Sequence, residues 1–295
     1  MSEIEIRQAR AEDRAAVLAF CEHTWDWGDY ISSVWDEWLS DPAGQLLVAL
    51  DDGLPVGIVH FRMQNATDAW QEGMRVAPGH RQRGIARRLS LEASAEAMRR
   101  GATTVRLLTE STNVASIHMV EQHHFRRVGV FLPATATPLT EAPRRRVYGL
   151  EDLAPAVPED LDDIVDYLNV SNLFPAVGGL YYKGFEGYRI SDTLLKEKIQ
   201  AGQIYLLRRW ERLDGIAIAE ARAGRQGRHL FVGYIDGTTE SISLIAYALR
   251  RRLPELELDE VRASVPDLMM VRDAFTGAGY DFDESTFYTY ERGLV

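Results

Sequence analysis

A single cysteine, Cys21, stands among 295 residues, so no disulfide can form within the chain. That usage fits a reducing, cytoplasmic setting. Cys21 lies in an apolar helical stretch and reads as packing rather than as a nucleophile. No apolar run reaches the roughly 20 residues that a membrane-spanning helix needs. The first ten residues alternate charged and apolar side chains and lack the apolar stretch of a secretion signal. Positive charge is the minority: 33 Lys and Arg face 44 Asp and Glu, for a net −11. Such a chain is a poor general binder of DNA or RNA, and the short run Arg144-Arg145-Arg146 does not change that.

What remains is a globular composition, 46% hydrophobic and 26% charged, in a length that suits two domains with a core each. Residues 68–100 organise the rest. Ala69 to Val76 reads as a strand closed by Ala77-Pro78. A basic turn follows, Gly79-His80-Arg81-Gln82-Arg83-Gly84-Ile85-Ala86. Then comes a helix from Arg87 to Arg100, with Ile85, Leu89, Leu91, Ala95 and Met98 as its apolar positions. Strand, basic glycine turn and helix start together can hold a pyrophosphate. The first-turn N–H groups lack intrahelical partners, and the helix dipole adds partial positive charge there. Gly84 lets the backbone approach a ligand closely, and Ala86 keeps the wall small. Arg81, Arg83, Arg87 and Arg88 crowd that helix start, where cations oppose the dipole; a negative ligand would relieve the conflict. The plainer reading is a structural turn with a solvated arginine face.

Arg81-x-x-Gly84-x-Ala86, after a strand ending Met74-Arg75-Val76-Ala77-Pro78, resembles the acyl-CoA motif of the GCN5-related N-acetyltransferases, the GNAT superfamily. The resemblance implies an α/β (α+β) fold, a mixed, mostly antiparallel sheet flanked by helices. It implies acetyl-CoA as acyl donor, held by Met74, Arg75, Val76, Arg81, Gln82, Arg83, Gly84, Ile85, Ala86 and Arg87. Asn113 stands where the family places an Asn near the pantetheine arm. The reaction implied is direct transfer to an amine, with no covalent enzyme intermediate and no metal. The acceptor arrives mostly protonated, since side-chain amines titrate at about 10.4 and α-amines at about 7.7–8.0. A general base must take a proton, and a backbone N–H of the motif strand serves the developing oxyanion in the family.

Glu72 is the candidate base. It precedes Val76 by four residues and shares a face with Met74 and Val76 at period two. The family's base is often a Glu on this strand; the alternative is an ordinary hydrogen-bonded Glu. Asp68 is the backup. The family's usual acid is a Tyr four residues before the Gly of a Gly-Phe corner. Here the corner is His124-Phe125, and the residue four back is Val120. His118, His123 and His124 could replace the acid, or could simply cap and cover a helix end.

Taken in order, Ile4 to Arg7 reads as a strand. Asp13 to Phe20 is a helix with Ala16, Val17 and Phe20 on one face. Ile31, Val34, Trp35 and Trp38 form a second helical face, with both tryptophans read as core. Gln45 to Leu50 and Val56 to Phe61 are strands joined at Asp52-Gly53. Beyond the motif come a strand from Thr103 to Thr109, a helix from Asn113 to His123, a strand from Phe125 to Phe131 and a loop from Pro133 to Pro143. From about residue 145 the order echoes itself. Asp214-Gly215 takes the place of Asp52-Gly53, between Ile204–Leu207 and Ile216–Ala219. His229 to Ile235 echoes the motif strand, and Ser241 to Arg252 the motif helix. Val261-Arg262 echoes Val105-Arg106, and Gly279-Tyr280 the His124-Phe125 corner. The expectation is two tandem domains: 1–140 catalytic, and 145–295 a diverged copy. The second copy lacks the cofactor loop: it has Asp236-Gly237-Thr238-Thr239-Glu240, where Thr238 or Thr239 can cap the helix and two acids meet its start. One coenzyme site per chain follows.

Trp25-Asp26-Trp27-Gly28-Asp29-Tyr30 combines aromatic faces with carboxylates, which suits a cationic acceptor. Trp25, Trp27, Asp29 and Tyr30 are the candidate acceptor-binding residues; the alternative is core tryptophan and solvated acid. A narrower resemblance, carried by Trp38-Leu39, Val48-Ala49, Asp52-Gly53-x-Pro55-Val56 and Glu72-Gly73-Met74-Arg75-Val76-Ala77-Pro78, is to the vertebrate histidine N-acetyltransferase-like proteins. It points to a free amino acid or similar small amine. The loop Phe174-Pro175-x-x-Gly178-Gly179-Leu180-Tyr181-Tyr182 either walls the acceptor pocket or gives structural support. The expected partner is a small-molecule amine, with no nucleic acid and no membrane; a homodimer is compatible. The leading function is an acetyl-CoA-dependent N-acetyltransferase, and the alternative is a non-catalytic acyl-CoA-binding sensor.

Overall fold

The computed structural model describes residues 4–22, 24, 28–140, 153–224 and 227–294. They fall into two compact units. The first runs to Thr109 and takes in Asn113–Arg126 and the C-terminal run from Tyr290; the second holds Glu110–Thr112 and Arg127–Thr289. The expected boundary, between 140 and 145, lies at residues outside the described ones. The chain grouping contains an exchange that the linear cut does not: residues from Arg127 count with the second unit, and the C-terminus with the first.

In the first unit β1 (Ile4–Gln8), α1 (Arg14–Cys21), α2 (Ile31–Ser40), β2 (Gly44–Asp51), β3 (Leu54–Met63), β4 (Asp68–Val76), α3 (Ile85–Arg99), β5 (Thr104–Glu110) and α4 (Val114–Gln122) follow one another. The sheet order is β1-β2-β3-β4-β5. It is antiparallel up to β4, and β4 and β5 are parallel. Asp52 and Gly53 make the expected two-residue hairpin turn, with φ of 50° and 81°. Trp35 and Trp38 are buried in the core with Ile31, as their spacing predicts. Helix α1 buries Val17 and Cys21, while Ala16 is exposed.

The buried stripe of α3 differs from the expected one. Leu91 and Met98 are exposed, and Ile85, Leu89, Ala93 and Ala97 are buried together with Ser90 and Ser94. The two serines face the sheet because Gln71 of β4 meets them. Its Nε2 donates to the Ser90 carbonyl at 3.1 Å and to Ser94 Oγ at 2.8 Å, and Ser90 Oγ donates to its Oε1 at 2.9 Å. A fully paired polar group can lie in a core at little cost.

The chain continues through β6 (Arg126–Ala136), β7 (Leu153–Pro155), α5 (Leu161–Val170), α6 (Leu173–Ala176), β8 (Leu180–Lys183), β9 (Glu186–Arg189), α7 (Asp192–Gln200), β10 (Ile204–Arg209), β11 (Arg212–Gly224), β12 (Gly227–Gly237), α8 (Thr239–Arg252), β13 (Glu260–Pro266), α9 (Met269–Gly277), β14 (Asp281–Phe282) and β15 (Phe287–Gly293). The second unit's sheet order is β6-β13-β12-β11-β10-β7. Its β12 and β13 are parallel, paired from His229 with Glu260 to Val232 with Ala263. That matches β4 and β5, paired from Asp68 with Thr104 to Gln71 with Leu107. A strand, helices, a hairpin, a strand, a helix, a strand and a helix thus occur twice in the same order, the second time with the β8–β9 pair set between the helices.

Two local expectations need correction. The loop read from Pro133 is strand to Ala136, because Phe131 to Ala136 pairs with β13. The hairpin of the second unit turns at Trp210-Glu211, both at positive φ (52° and 61°), and not at Asp214-Gly215. Gly215 lies inside β11, paired with Leu207 on one side and Gly237 on the other. Non-glycine residues in the left-handed region leave no sequence signal as plain as Asp-Gly.

Candidate active site

The candidate site lies where β4 and β5 part. Their ladder ends at Gln71 and Leu107, yet β4 continues to Val76. From Glu72 onward the β4 edge that faced β5 has no partner in that ladder among the described residues. A bulge sharpens the divergence: β3 and β4 shift register between Ile58 and His60. Gly73 makes the shift, with φ of 67°, against Trp38 of α2. The bulge also overturns the period-two expectation for this strand. Glu72 pairs across the sheet with His60, whose ring stacks on Trp38 at 4.6 Å. Trp38 in turn meets Tyr30 edge-on, and the Arg75 guanidinium lies over Tyr30 at 5.2 Å. Glu72 and Arg75 therefore share the α2 face despite their odd spacing.

Glu72 keeps 22% of its side chain exposed, and its Oε1 lies 3.0 Å from His60 Nδ1. Asp68, the backup base, is buried. It accepts from Arg106 Nη1 at 2.7 Å and from Asn65 Nδ2 at 2.9 Å, which makes it structural.

The turn after β4 leads into α3 as the motif predicts. Gly84 is the residue before the helix, at φ of 75°, and no side chain caps the helix start among the described residues. Gln82 is also left-handed, at 62°. The first-turn amides of Ile85, Ala86 and Arg87 follow directly. Arg81, Gln82, Gly84 and Arg87 are exposed around them. The expected crowd of four arginines thins out. Arg83 binds Asp51 at 2.8 Å, beside His80 at 3.2 Å, and Arg88 donates to the Ile4 carbonyl at 2.6 Å. Those contacts tie the turn to β2 and β1. Arg75 is likewise engaged: its Nε donates to Asp29 Oδ2 at 2.7 Å and its Nη1 to the Met74 carbonyl at 2.9 Å. Met74, Arg75 and Val76 are all half-buried.

Asp29 was expected to face an acceptor cation. It is instead nearly buried, held by Arg75, and accepts from the Ile31 amide at 3.1 Å, which starts α2. Tyr30 is partly exposed. Burial pushes its hydroxyl pKa up, Arg75 opposes this, and the negative charges of Glu72 and Asp29 add to it. Trp25, Asp26 and Trp27 lie outside the described residues. Among the described residues a depression of about 360 Å³ is lined by Leu18, Cys21, Glu22, Gly28, Asp29 and Ser32, among others.

Asn113 caps α4: its Oδ1 accepts from the Ser116 amide at 3.1 Å. At the other end His124 takes the left-handed position, φ of 63°, and Phe125 is buried with its amide on the Val120 carbonyl at 3.2 Å. Val120 is fully buried, so no hydroxyl stands where the family has its Tyr. His118 lies 2.9 Å from Gln122. Burial, with Arg87, Arg292 and His124, holds His123 below the usual histidine pKa.

The second unit treats the same positions differently. Thr238 Oγ1 accepts from the Ser241 amide at 3.1 Å, so α8 is capped by its own chain. Glu240 is bound by Arg209 at 2.9 Å, and Asp236 is buried on Ser171 and Tyr234. Strand β8 packs onto β12 where β12 and β13 part: a Cβ at Gly233 would collide with Tyr182 and Tyr181. Tyr182 continues to Phe131, at 4.5 Å, and its hydroxyl meets Thr289 Oγ1 at 2.7 Å. The aromatic loop expected around Phe174 to Tyr182 is thus core of this unit.

His60 and Asp41 are the site residues that sequence reading missed. A lone His in a strand carries no signal by itself, and its pairing with Glu72 depends on a register that the bulge sets.

Residues 13–125 match the model of the Acetyltransferase (GNAT) family. No curated protein matches the chain. Among solved structures, a GCN5-related N-acetyltransferase from Sphaerobacter thermophilus is similar over 99% of this chain and 96% of that one, at 15% identity and a TM-score of 0.61. A putative acetyltransferase from Thermoplasma acidophilum is similar over 98% and 99%, at 15% identity and 0.56. A tandem GNAT protein from the clavulanic acid biosynthesis pathway is similar over 99% of both chains, at 15% identity and 0.51. Among the described residues no helix is long and apolar enough to cross a membrane. The chain thus has the fold of the tandem GNAT protein, and within it residues 13–125 resemble the GNAT acetyltransferase family model.

Proposed function

We propose that the chain is an N-acetyltransferase that moves acetyl from acetyl-CoA to the primary amine of a small molecule, an amino acid or related cationic amine, in one direct attack. The diphosphate lies on the amides of Gly84 to Arg87, with Arg81 and Arg87 beside it. The acyl arm follows the open edge of β4 past Val76 and Met74. Glu72 takes a proton from the acceptor ammonium, the freed amine attacks the thioester carbonyl, and the intermediate collapses with cleavage of the C–S bond; coenzyme A leaves as the thiolate and takes up, through water, the second proton that the nitrogen sheds. A backbone N–H of the parted strand meets the carbonyl oxygen as its charge grows.

The observation that carries this reading is the position of Glu72. It is a partly exposed carboxylate on the parted strand, at the level where the ladder to β5 ends. One site per chain is proposed. In support, α8 is capped by Thr238, and β8 covers β12 where the second strand pair parts.

The buried Val120 at the family's tyrosine position supports a second reading, a sensor that binds acyl-CoA without turnover. Acetyl-CoA cleavage over a panel of free amino acids and polyamines separates the two. CoA release with any amine, lost in Glu72→Gln, is the expected result. Tight acetyl-CoA binding with no release across the panel contradicts the enzyme reading.

A further inference from the structure

We propose that the buried His60 is a positioning residue for Glu72: it holds the carboxylate through an Nδ1–H hydrogen bond so that the other oxygen meets the acceptor. The proposal rests on reading Glu72 as the base. Glutamate has three rotatable side-chain bonds, and a partly exposed one samples several rotamers. A base must stay within hydrogen-bond reach of the proton that it removes, and a misplacement of an ångström can cost about 100-fold. Something must therefore hold Glu72, and His60 is built to do so.

His60 is 0% exposed and sits opposite Glu72 in the β3–β4 register. Its ring lies flat on Trp38, at 4.6 Å and 5°, so the ring plane is fixed. Within that plane Nδ1 is 3.0 Å from Glu72 Oε1. The other nitrogen, Nε2, lies 3.5 Å from Asp41 Oδ2 and has no hydrogen-bond partner among the described residues. Two carboxylates flank the imidazole, and only a ring nitrogen that carries a proton can donate to one. The Glu72 side is at hydrogen-bond distance and the Asp41 side is not, which assigns the proton to Nδ1. Arg62 Nε stands 3.9 Å from the same Asp41 oxygen and offsets part of its charge. The charged and titratable groups facing the ring are thus Glu72, Asp41 and Arg62, with Tyr30 beyond Trp38.

The proton balance is simple. The acceptor ammonium gives one proton to the free Glu72 oxygen, Oε2, and becomes a neutral amine. Glu72 changes from charged to neutral. The His60 N–H stays on Oε1 throughout, so His60 neither gains nor loses a proton and does not touch the acceptor.

Two variants separate the ring's two edges. The amide of His60→Asn places an N–H close to where Nδ1 stood, and that of His60→Gln one close to Nε2. CoA release is followed with acetyl-CoA and whichever free amino acid reacts fastest, as a pH profile, with coenzyme A affinity and thermal melting measured alongside. His60→Asn is expected to keep kcat/KM within about threefold, and His60→Gln to lose about 10- to 100-fold with unchanged coenzyme affinity. Placed on Glu72→Gln, His60→Gln is expected to cost nothing further, because the two act as a unit. His60→Gln at wild-type rate while Glu72→Gln is impaired overturns the proposal, as does full additivity of the two losses. Wild-type rate in Glu72→Gln overturns the reading of the base instead. If the variants do not fold, or no amino acid reacts, the ring-nitrogen NMR resonances of His60 in the wild-type protein decide. A proton on Nδ1 supports the proposal, and a proton on Nε2 with Nδ1 bare overturns it.

Discussion

Arg106 and Glu291 are 185 residues apart in the chain and share a hydrogen bond of 2.8 Å from Nε to Oε2. The guanidinium is 1% exposed, and its other partner is Asp68, also buried, at 2.7 Å. The first unit therefore relies on the last residues of the chain to balance a charge in its own interior. Leu294 adds a backbone bond to Thr103 at 2.9 Å, and the Tyr290 hydroxyl donates to Glu121 at 2.8 Å.

Removing Glu291 leaves part of that guanidinium unpaired. Breaking a buried pair from one side costs about 3–5 kcal/mol, and the remaining Asp68 bond keeps this case toward the lower end. Glu291→Ala is expected to lower the urea midpoint strongly, and deletion of 290–295 to lower it further. An unchanged midpoint contradicts the assignment of the C-terminal run to the first unit.

The same group gives a pH dependence. Burial raises the Glu291 pKa, but the bonds from Arg126 and Arg106 outweigh it and hold the carboxyl below its usual range. A carboxyl depressed in the folded state stabilises the protein fully above its unfolded value of about 4.3, and the contribution is lost as pH falls through the folded value. The stability gap between wild type and Glu291→Gln is expected to be largest at neutral pH and to shrink below about pH 4. A gap that stays constant into acid contradicts this.

Gly73 is fixed by both backbone and space. A Cβ there would lie 2.5 Å from Trp38 Cζ3, at a φ of 67°. Gly73→Ala combines about 1–2 kcal/mol for a left-handed residue with about 1–3 kcal/mol for overpacking. A clear loss of thermal stability is expected. A melting temperature equal to wild type would mean that the bulge does not lean on Trp38.

Gly84 is different. A Cβ there meets nothing within 4 Å, so only its φ of 75° resists substitution. Gly84→Val is expected to leave the protein folded, with a loss of about 1–2 kcal/mol, and to weaken coenzyme A binding at least about tenfold. Equal affinity, measured by calorimetry, argues against the turn as the diphosphate site.

Cys21 should be inert. Burial pushes its thiol pKa up to about 12, helped by Asp29 and opposed by Arg75. The thiolate is the reactive form, so a thiol reagent at pH 8 is expected to label the protein only after denaturation. Fast labelling of the native protein contradicts the packing role.

Local signals made much of this fold legible. Asp52-Gly53 announced its hairpin, the basic turn announced the helix start, and the spacing of Trp35 and Trp38 announced a buried face. The failures share a cause: the deciding partner lies far away in sequence. The buried stripe of the motif helix was misplaced because Gln71, which meets Ser90 and Ser94, lies on the preceding strand. Asp29 read as open to a cation until Arg75 is seen to hold it. His60 carried no signal because its place beside Glu72 depends on a bulge one strand away. The echo of Asp52-Gly53 in Asp214-Gly215 misled because the second turn uses left-handed residues that are not glycine.

The most direct measurement is a crystal structure of the full chain with coenzyme A. The account predicts one molecule, its diphosphate on the amides between Gly84 and Arg87 and its arm along β4 toward Glu72. A diphosphate bound at Thr238 instead, or a saturated crystal with the Gly84 turn bare, would contradict it.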